Sequence, residues 1–286
     1  MEAEVRVKLG EATRRLEENG VEDARRNVEW MLQEVLGCTR AALYAYPERM
    51  LTEAESEQFE RMLDRRLNRE PIQYILGYTD FFGLRLKVSP AVLIPRPETE
   101  RVVEEGLRLL EGIPEPRVVD VGTGSGCIAV AVKHRRPDAE VYACDVDASA
   151  LSVAQENASL HAPGIQFFQA DVLEAAFTAL APDHLHLIVS NPPYVPVAEK
   201  DTLAPEVASF EPEVALYCDD DPLRFFRAIA GHGRALLDAG GYLVFETHTD
   251  HAADVATLLQ TAGYLDVALV NDLTGRPRIV IGTFGG

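Results

Sequence analysis

Arg117-Val118-Val119-Asp120-Val121-Gly122-Thr123-Gly124-Ser125-Gly126-Cys127-Ile128-Ala129-Val130-Ala131-Val132-Lys133-His134 is the stretch that decides the fold. Its first five residues read as a short buried strand, a glycine-rich loop follows at once, and Cys127 to His134 continue as a helix. Strand, glycine loop and helix in this order form a nucleotide-binding arrangement. Glycines let the backbone approach a ligand at positive φ, and the helix N-terminus aims free amides at polar ligand groups. A dinucleotide fingerprint carries glycine at the sixth position of G-x-G-x-x-G. Here that position is Cys127, and the spacing is G-x-G-x-G introduced by Asp120.

This loop resembles the S-adenosylmethionine loop of methyltransferases, and residues downstream supply further contacts of the kind that ligand needs. A second strand, Val141 to Cys144, ends at Asp145, about twenty positions after the loop, where a carboxylate can accept both ribose hydroxyls. A third, Ile165 to Gln169, leads into Asp171, placed to accept from the adenine amino group, with Val172 packing on the ring. An exposed aspartate in an acid-rich chain is the plainer alternative for Asp171. A fourth apolar run, Leu185 to Ser190, ends in Asn191-Pro192-Pro193-Tyr194. Two prolines stiffen that turn and remove their own donors, so acceptors face outward beside an aromatic ring. Such a turn can also simply terminate a strand. With the glycine loop upstream, it reads as a grip for a planar NH2 group. The candidate cofactor residues are therefore Gly122, Thr123, Gly124, Ser125, Gly126, Asp145, Asp171, Val172 and Asn191. Asn191, Pro192, Pro193 and Tyr194 are the candidate substrate residues, with Asn191, Pro192 and Tyr194 expected to act in catalysis.

Alternating strands and helices from Arg117 to Glu246, closed by paired strands Tyr264 to Val270 and Arg278 to Phe284 around Asp272-Leu273-Thr274-Gly275-Arg276-Pro277, predict a mostly parallel α/β sheet with an antiparallel edge hairpin. In such sheets ligands bind at the carboxyl ends of the strands, where Gly122, Asp145, Asp171 and Asn191 all fall. The first part of the chain differs. Val5, Leu9, Ala12 and Leu16, then Val28, Met31, Leu32, Val35 and Leu36, recur at helical spacing, and Thr52 with Glu55 can cap a helix burying Phe59, Met62, Leu63 and Leu67. Residues 1–79 are expected to form a small all-α bundle that docks a substrate protein, with Trp30 in its core. Residues 80–96 alternate apolar and polar as a β-hairpin linker turning at Ser89-Pro90-Ala91. Pro97 then opens the helix that begins a domain over 97–286.

The net charge of −19 and only four lysines disfavour broad binding to bare nucleic acid. The same acidity fits a salt-rich cytoplasm. No apolar run approaches the ~20 residues needed to span a bilayer. The N-terminus, with Glu2 and Glu4, lacks signal-peptide character, so the expected location is cytoplasmic. Cys38, Cys127, Cys144 and Cys218 are scattered without a C-x-x-C pair and read as reduced thiols. His248, Asp250 and His251 read as solvated loop or helix-start residues, and no metal is expected.

Glu70-Pro71-Ile72-Gln73-Tyr74-Ile75-Leu76-Gly77, Ile94-Pro95-Arg96-Pro97-Glu98-Thr99-Glu100, Asp120 to Gly126 and Asn191 to Tyr194 together resemble the HemK/PrmC family of peptide chain release factor glutamine methyltransferases. The resemblance covers nearly the whole chain. It implies a Rossmann-like class I S-adenosylmethionine-dependent methyltransferase domain behind a helical domain. It further implies N5-methylation of the glutamine in the Gly-Gly-Gln motif of release factors, with S-adenosylhomocysteine as product. Asn-Pro-Pro-Tyr is shared with enzymes that methylate amino groups on adenine or cytosine, so a DNA or RNA adenine N6-methyltransferase is the rival enzyme. A noncatalytic S-adenosylmethionine-binding adaptor is the rival of another class. The sequence departs from the family at Tyr217-Cys218-Asp219-Asp220-Asp221, where glycines are usual, and at Thr247 to His251 after Glu246.

Overall fold

The computed structural model describes residues 4–272 and 274–286. Glu2 of the N-terminal reading and Leu273 of the edge-hairpin loop lie outside the described residues. The chain divides into two compact units, one running to Gly77 and including Ala204–Phe210, the other comprising Tyr78–Leu203 and Glu211–Gly286.

Helical periodicity builds the first unit. Helix α1 (Val5–Glu18) buries Val5, Leu9, Ala12 and Leu16, and α2 (Ala24–Leu36) buries Val28, Met31 and Leu32 before Gly37 ends it in the left-handed region. After α3 (Arg40–Ala45), helix α4 (Glu53–Leu67) starts with both halves of the Thr52/Glu55 capping box formed, and α5 (Ile72–Leu76) follows. Their inward faces share one apolar cluster. Trp30 is only partly buried at its margin, with the Arg26 guanidinium 4.8 Å from its ring centroid. The helical domain expected over 1–79 thus ends at Gly77 and also takes in a later segment. Glu206 in that segment accepts from Arg66 at 2.9 Å and Arg69 at 2.8 Å, while Asn27 holds Arg66 at 2.8 Å.

The second unit opens with a hairpin of β1 (Tyr78–Phe81) and β2 (Leu84–Lys87). Its turn is Phe82-Gly83, both at positive φ (51° and 78°), the two-residue geometry that matches strand twist. This corrects the expected turn at Ser89-Pro90-Ala91. Val88, Val92 and Ile94 are buried as the alternation implies, but Pro90 and Pro95 lack the amide donors a second ladder needs, and the segment forms no strand.

Pro97 stands at the first position of α6 (Pro97–Leu109). Then follow β3 (Arg117–Val121), α7 (Cys127–Arg135), β4 (Glu140–Asp145), α8 (Ala148–His161), β5 (Gln166–Gln169), α9 (Phe177–Leu180) and β6 (Leu185–Ser190). The later elements are α10 (Pro205–Phe210, in the first unit), α11 (Glu213–Leu216), α12 (Arg224–Leu236), β7 (Leu237–Glu246), α13 (Ala252–Thr261), β8 (Tyr264–Asn271) and β9 (Pro277–Phe284). Seven strands make one sheet in the order β5-β4-β3-β6-β7-β9-β8. The first five are parallel, and β9 lies antiparallel between β7 and β8. Period-two alternation feeds both faces. Val118, Leu187, Val189 and Val244 pack with Val102 and Val103 of α6 and Ile128 to Val132 of α7, whereas Val119, Ile188, Leu243 and Phe245 pack with α12 and α13. The strand order reverses between β3 and β6, whose last residues Val121 and Ser190 are paired. That switch point opens a crevice above the carboxyl ends of the two strands.

Candidate active site

The loop after β3 is held in shape from three sides. Gly122 N and Thr123 N both donate to Cys144 O at 2.9 Å, tying the loop to the next strand. Asp120 is 1% exposed, and its Oδ2 accepts from Thr123 Oγ1 at 2.7 Å and from Ala129 N at 3.2 Å, pinning the loop to α7. Asn157 of α8, fully buried, donates to Ser125 O at 2.9 Å and to Lys87 O at 3.0 Å, and accepts from Lys87 N at 2.7 Å. Gly126, at φ 80°, lies where α8 comes closest to the loop.

Asp145, at the end of β4, accepts from Gly124 N at 2.8 Å through Oδ2 and from Asp147 N at 3.0 Å through Oδ1. Each oxygen keeps a lone pair for a further donor. Asp171 accepts from Leu173 N at 2.8 Å through Oδ1. At the end of β6, the Asn191 Nδ2 approaches Thr99 Oγ1 at 3.5 Å, and Thr99 donates to Glu246 Oε2 at 2.7 Å. Thr99 and Glu246 are both buried. Arg96 donates to Glu211 at 2.6 Å, and Ile94 N reaches the second oxygen of the same buried carboxylate at 3.4 Å.

Arg96, Thr99, the loop after β3, Asp145, Asp171 and Asn191 border one cleft, about 1040 Å³ including its open mouth. Of the residues singled out by sequence, Gly122, Thr123, Gly124, Ser125, Asp145, Asp171, Val172, Asn191, Pro192 and Pro193 line it. Gly126 and Tyr194 do not. Gly126 caps the start of α7 behind the loop, and the Tyr194 ring packs on the apolar cluster of α12 and α13, 6.1 Å from the His248 ring. Sequence reading passed over Val92, Leu93, Ile128, Phe225 and Ile229, which give the cleft its apolar wall, and assigned no part to Arg96 or Thr99, which border it. Pro97 at a helix start was the available signal for Thr99, since it fixes where the first turn of α6 begins. Among the described residues no group of three or more His, Cys, Asp or Glu side chains could hold a metal ion, and no helix is long and apolar enough to cross a membrane.

Burial pushes both the Asp120 and the Glu246 carboxyl up to about 7, outweighing the hydrogen bonds from Thr123 and Ala129 N at Asp120 and the Thr99 bond with the Arg278 and Arg96 charges at Glu246. An unfolded chain releases those protons near pH 4, so between about pH 4.5 and 7 the folded protein holds more protons than the unfolded one. Stability is therefore expected to fall as pH rises through that window. Self-repulsion of the −19 chain has the same sign but is screened by salt, whereas the buried pair is not. In high salt, the urea midpoint should still decline towards pH 8, and Asp120→Asn or Glu246→Gln should flatten the decline. A midpoint that climbs to pH 8 would contradict the assignment.

A cleft with this glycine loop, two strand-end aspartates and the buried Ser125 suits a nucleoside ligand with a polar tail. Comparison with known proteins points the same way. The PrmC N-terminal domain family matches residues 9–77 and the Methyltransferase small domain family matches residues 103–207. A release factor glutamine methyltransferase of Geobacter sulfurreducens is 39% identical over 270 residues, 94% of this chain and 93% of that protein. One of Chlorobaculum tepidum is 42% identical over 262 residues, covering 89% and 88%. Among solved structures, the hMettl16 catalytic domain in complex with MAT2A 3′UTR hairpin 6 shares the fold at a TM-score of 0.56 and 15% identity, over 83% of this chain and 84% of that one. A methyltransferase from Pyrococcus furiosus does so at 0.51 and 14%, over 72% and 91%. With its Rossmann-like sheet, its N-terminal helices and relatives this similar along nearly their full length, the chain belongs to the release factor glutamine methyltransferase family.

Proposed function

We propose that this enzyme transfers a methyl group from S-adenosylmethionine to the side-chain nitrogen of the glutamine in the Gly-Gly-Gln motif of peptide chain release factors. The observation that carries the reading is the meeting of two devices at neighbouring strand ends: the glycine loop after Val121 and the Asn191-Pro192 acceptors after Ser190, in one cleft.

Gly122 to Ser125 would hold the methionine part of the donor, Asp145 the ribose hydroxyls, and Asp171 with Val172 the adenine. Bound there, S-adenosylmethionine would supply an electrophilic sulfonium methyl to the amide nitrogen, the N–C bond forming as the S–C bond breaks, with S-adenosylhomocysteine as the leaving group. An amide nitrogen is a poor nucleophile because its lone pair is delocalised into the carbonyl. Asn191 Oδ1 and the Pro192 carbonyl accept its two N–H hydrogens and strengthen as positive charge grows on nitrogen, which favours the transition state over the ground state. Orientation of the reacting groups accounts for about 7–11 kcal/mol of barrier lowering where it is well achieved. Tyr194, expected from its motif to face the amide, instead packs its ring against the α12 and α13 cluster outside the cleft and so anchors the Asn191-Pro192-Pro193 turn. No carboxylate or imidazole needs to act as base, since the proton leaves after transfer, when the nitrogen has become acidic. The helical unit is the docking module for the release factor, and the site of action is the cytoplasm.

Mass measurement on a purified release factor after incubation with the enzyme and labelled S-adenosylmethionine tests the reading. It should gain one methyl on the loop glutamine, whereas label on DNA or RNA would support the adenine alternative, and label on neither would support a binding-only adaptor. Asp145→Ala is expected to weaken S-adenosylmethionine binding by about 1.5–3 kcal/mol, as for hydrogen bonds to a charged acceptor. Calorimetric titration showing unchanged affinity would remove Asp145 from the site.

A further inference from the structure

We propose that Thr99 and Glu246 decide which end of the Asn191 carboxamide faces the cleft, and so act as positioning residues for the methyl-accepting amide. This rests on the role given to Asn191 above. A threonine hydroxyl has one hydrogen to give. Thr99 gives it to Glu246 Oε2 at 2.7 Å, which leaves lone pairs on its oxygen towards Asn191. Only the NH2 end of Asn191 can meet that oxygen favourably, and Nδ2 is the atom found there, at 3.5 Å. The opposite rotamer would set Asn191 Oδ1 against an oxygen whose hydrogen is already committed. Oδ1 is thereby left to the cleft, as acceptance of a substrate N–H requires.

The three residues come from three elements: the first turn of α6, the end of β6 and the end of β7. Glu246 is 1% exposed, so water does not take over its bond to Thr99. Neither Thr99 nor Glu246 needs to touch the substrate; both act through Asn191. Protonation of Glu246 reverses the chain. A neutral carboxyl can donate to Thr99, whose own hydrogen then turns to Asn191 Oδ1 and withdraws the acceptor from the cleft. The charged and titratable groups facing Glu246 are Arg96 and Glu98 at the head of α6, Arg278 on β9, Tyr194 beyond β6 and Cys127 at the start of α7.

Steady-state methylation of a purified release factor by the full-length enzyme with S-adenosylmethionine, read alongside calorimetric S-adenosylmethionine affinity, tests this. Thr99→Val should lower kcat about tenfold or more with cofactor affinity unchanged, the cost of misplacing one oriented group. Thr99→Ser, which keeps the hydroxyl, should restore kcat. Glu246→Gln should lower kcat and abolish its decline on the acidic side of neutrality. The effect of Thr99→Val should vanish in an Asn191→Ala background, a non-additivity that general destabilisation does not produce. If Thr99→Val fails to fold, Glu246→Gln and its pH profile carry the test. An unchanged kcat in Thr99→Val or Glu246→Gln, or a Thr99→Val effect of equal size in the Asn191→Ala background, overturns the proposal. A wild-type enzyme that methylates no release factor would overturn instead the reading on which it rests.

Discussion

Replacing Asn191 with alanine is expected to lower kcat for release factor methylation by about 10²–10³-fold, the usual consequence of removing one preorganised hydrogen-bonding group from a charge-developing site. S-adenosylmethionine should still bind, because the glycine loop and Asp145 stand on other strands. On the proposed role the loss is specific to the transition state: Asn191 Oδ1 would accept most strongly when the attacking nitrogen carries positive charge, and the ground-state amide would draw less from it. Single-turnover kinetics with labelled donor separates the two cases. A fall in chemistry at constant donor affinity supports the assignment, and an unchanged rate removes Asn191 from catalysis.

The second large effect lies in stability. Gly126→Ala combines two penalties: alanine at φ 80° and a Cβ that would stand 3.0 Å from the Ala154 Cβ and 3.2 Å from the Ala154 Cα of α8. The obstacle is a helix backbone, which cannot swing aside. Strain of about 1–2 kcal/mol for the left-handed backbone, with overpacking of about 1–3 kcal/mol, should lower the thermal midpoint by on the order of 10 °C. Gly124 is also at positive φ, but its Cβ direction is open within 4 Å. Gly124→Ala should therefore cost only the backbone share. Equal midpoints for the two variants would show that α8 does not press on the loop.

The cradle was legible in sequence because its signals are local. Strand, glycine spacing and helix are contiguous over Arg117 to His134, and the Asn-Pro-Pro turn directly follows its strand. What escaped reading joins distant positions. Thr99 and Glu246 are 147 residues apart and meet only because α6 packs across the carboxyl end of β7. Arg96 and Glu211 are separated by 115 residues, and Asn157 secures Ser125 from a helix whose surface pattern does not mark it. Tyr194 was recognised by its motif, yet its ring direction depends on α12 and α13, which no spacing near the motif reveals. The hairpin turn was misplaced for a different reason. Phe82 is an unusual residue at positive φ, so Ser89-Pro90-Ala91 carried the stronger local turn signal while the missing proline donors prevented a second strand.

The most direct test is a structure of the enzyme with S-adenosylhomocysteine and a peptide containing Gly-Gly-Gln. The glutamine side-chain nitrogen is expected within hydrogen-bonding distance of both Asn191 Oδ1 and the Pro192 carbonyl oxygen, with Asn191 Nδ2 still turned to Thr99. A glutamine amide seated elsewhere in the cleft, or Asn191 rotated so that its NH2 group meets the substrate, would contradict the account.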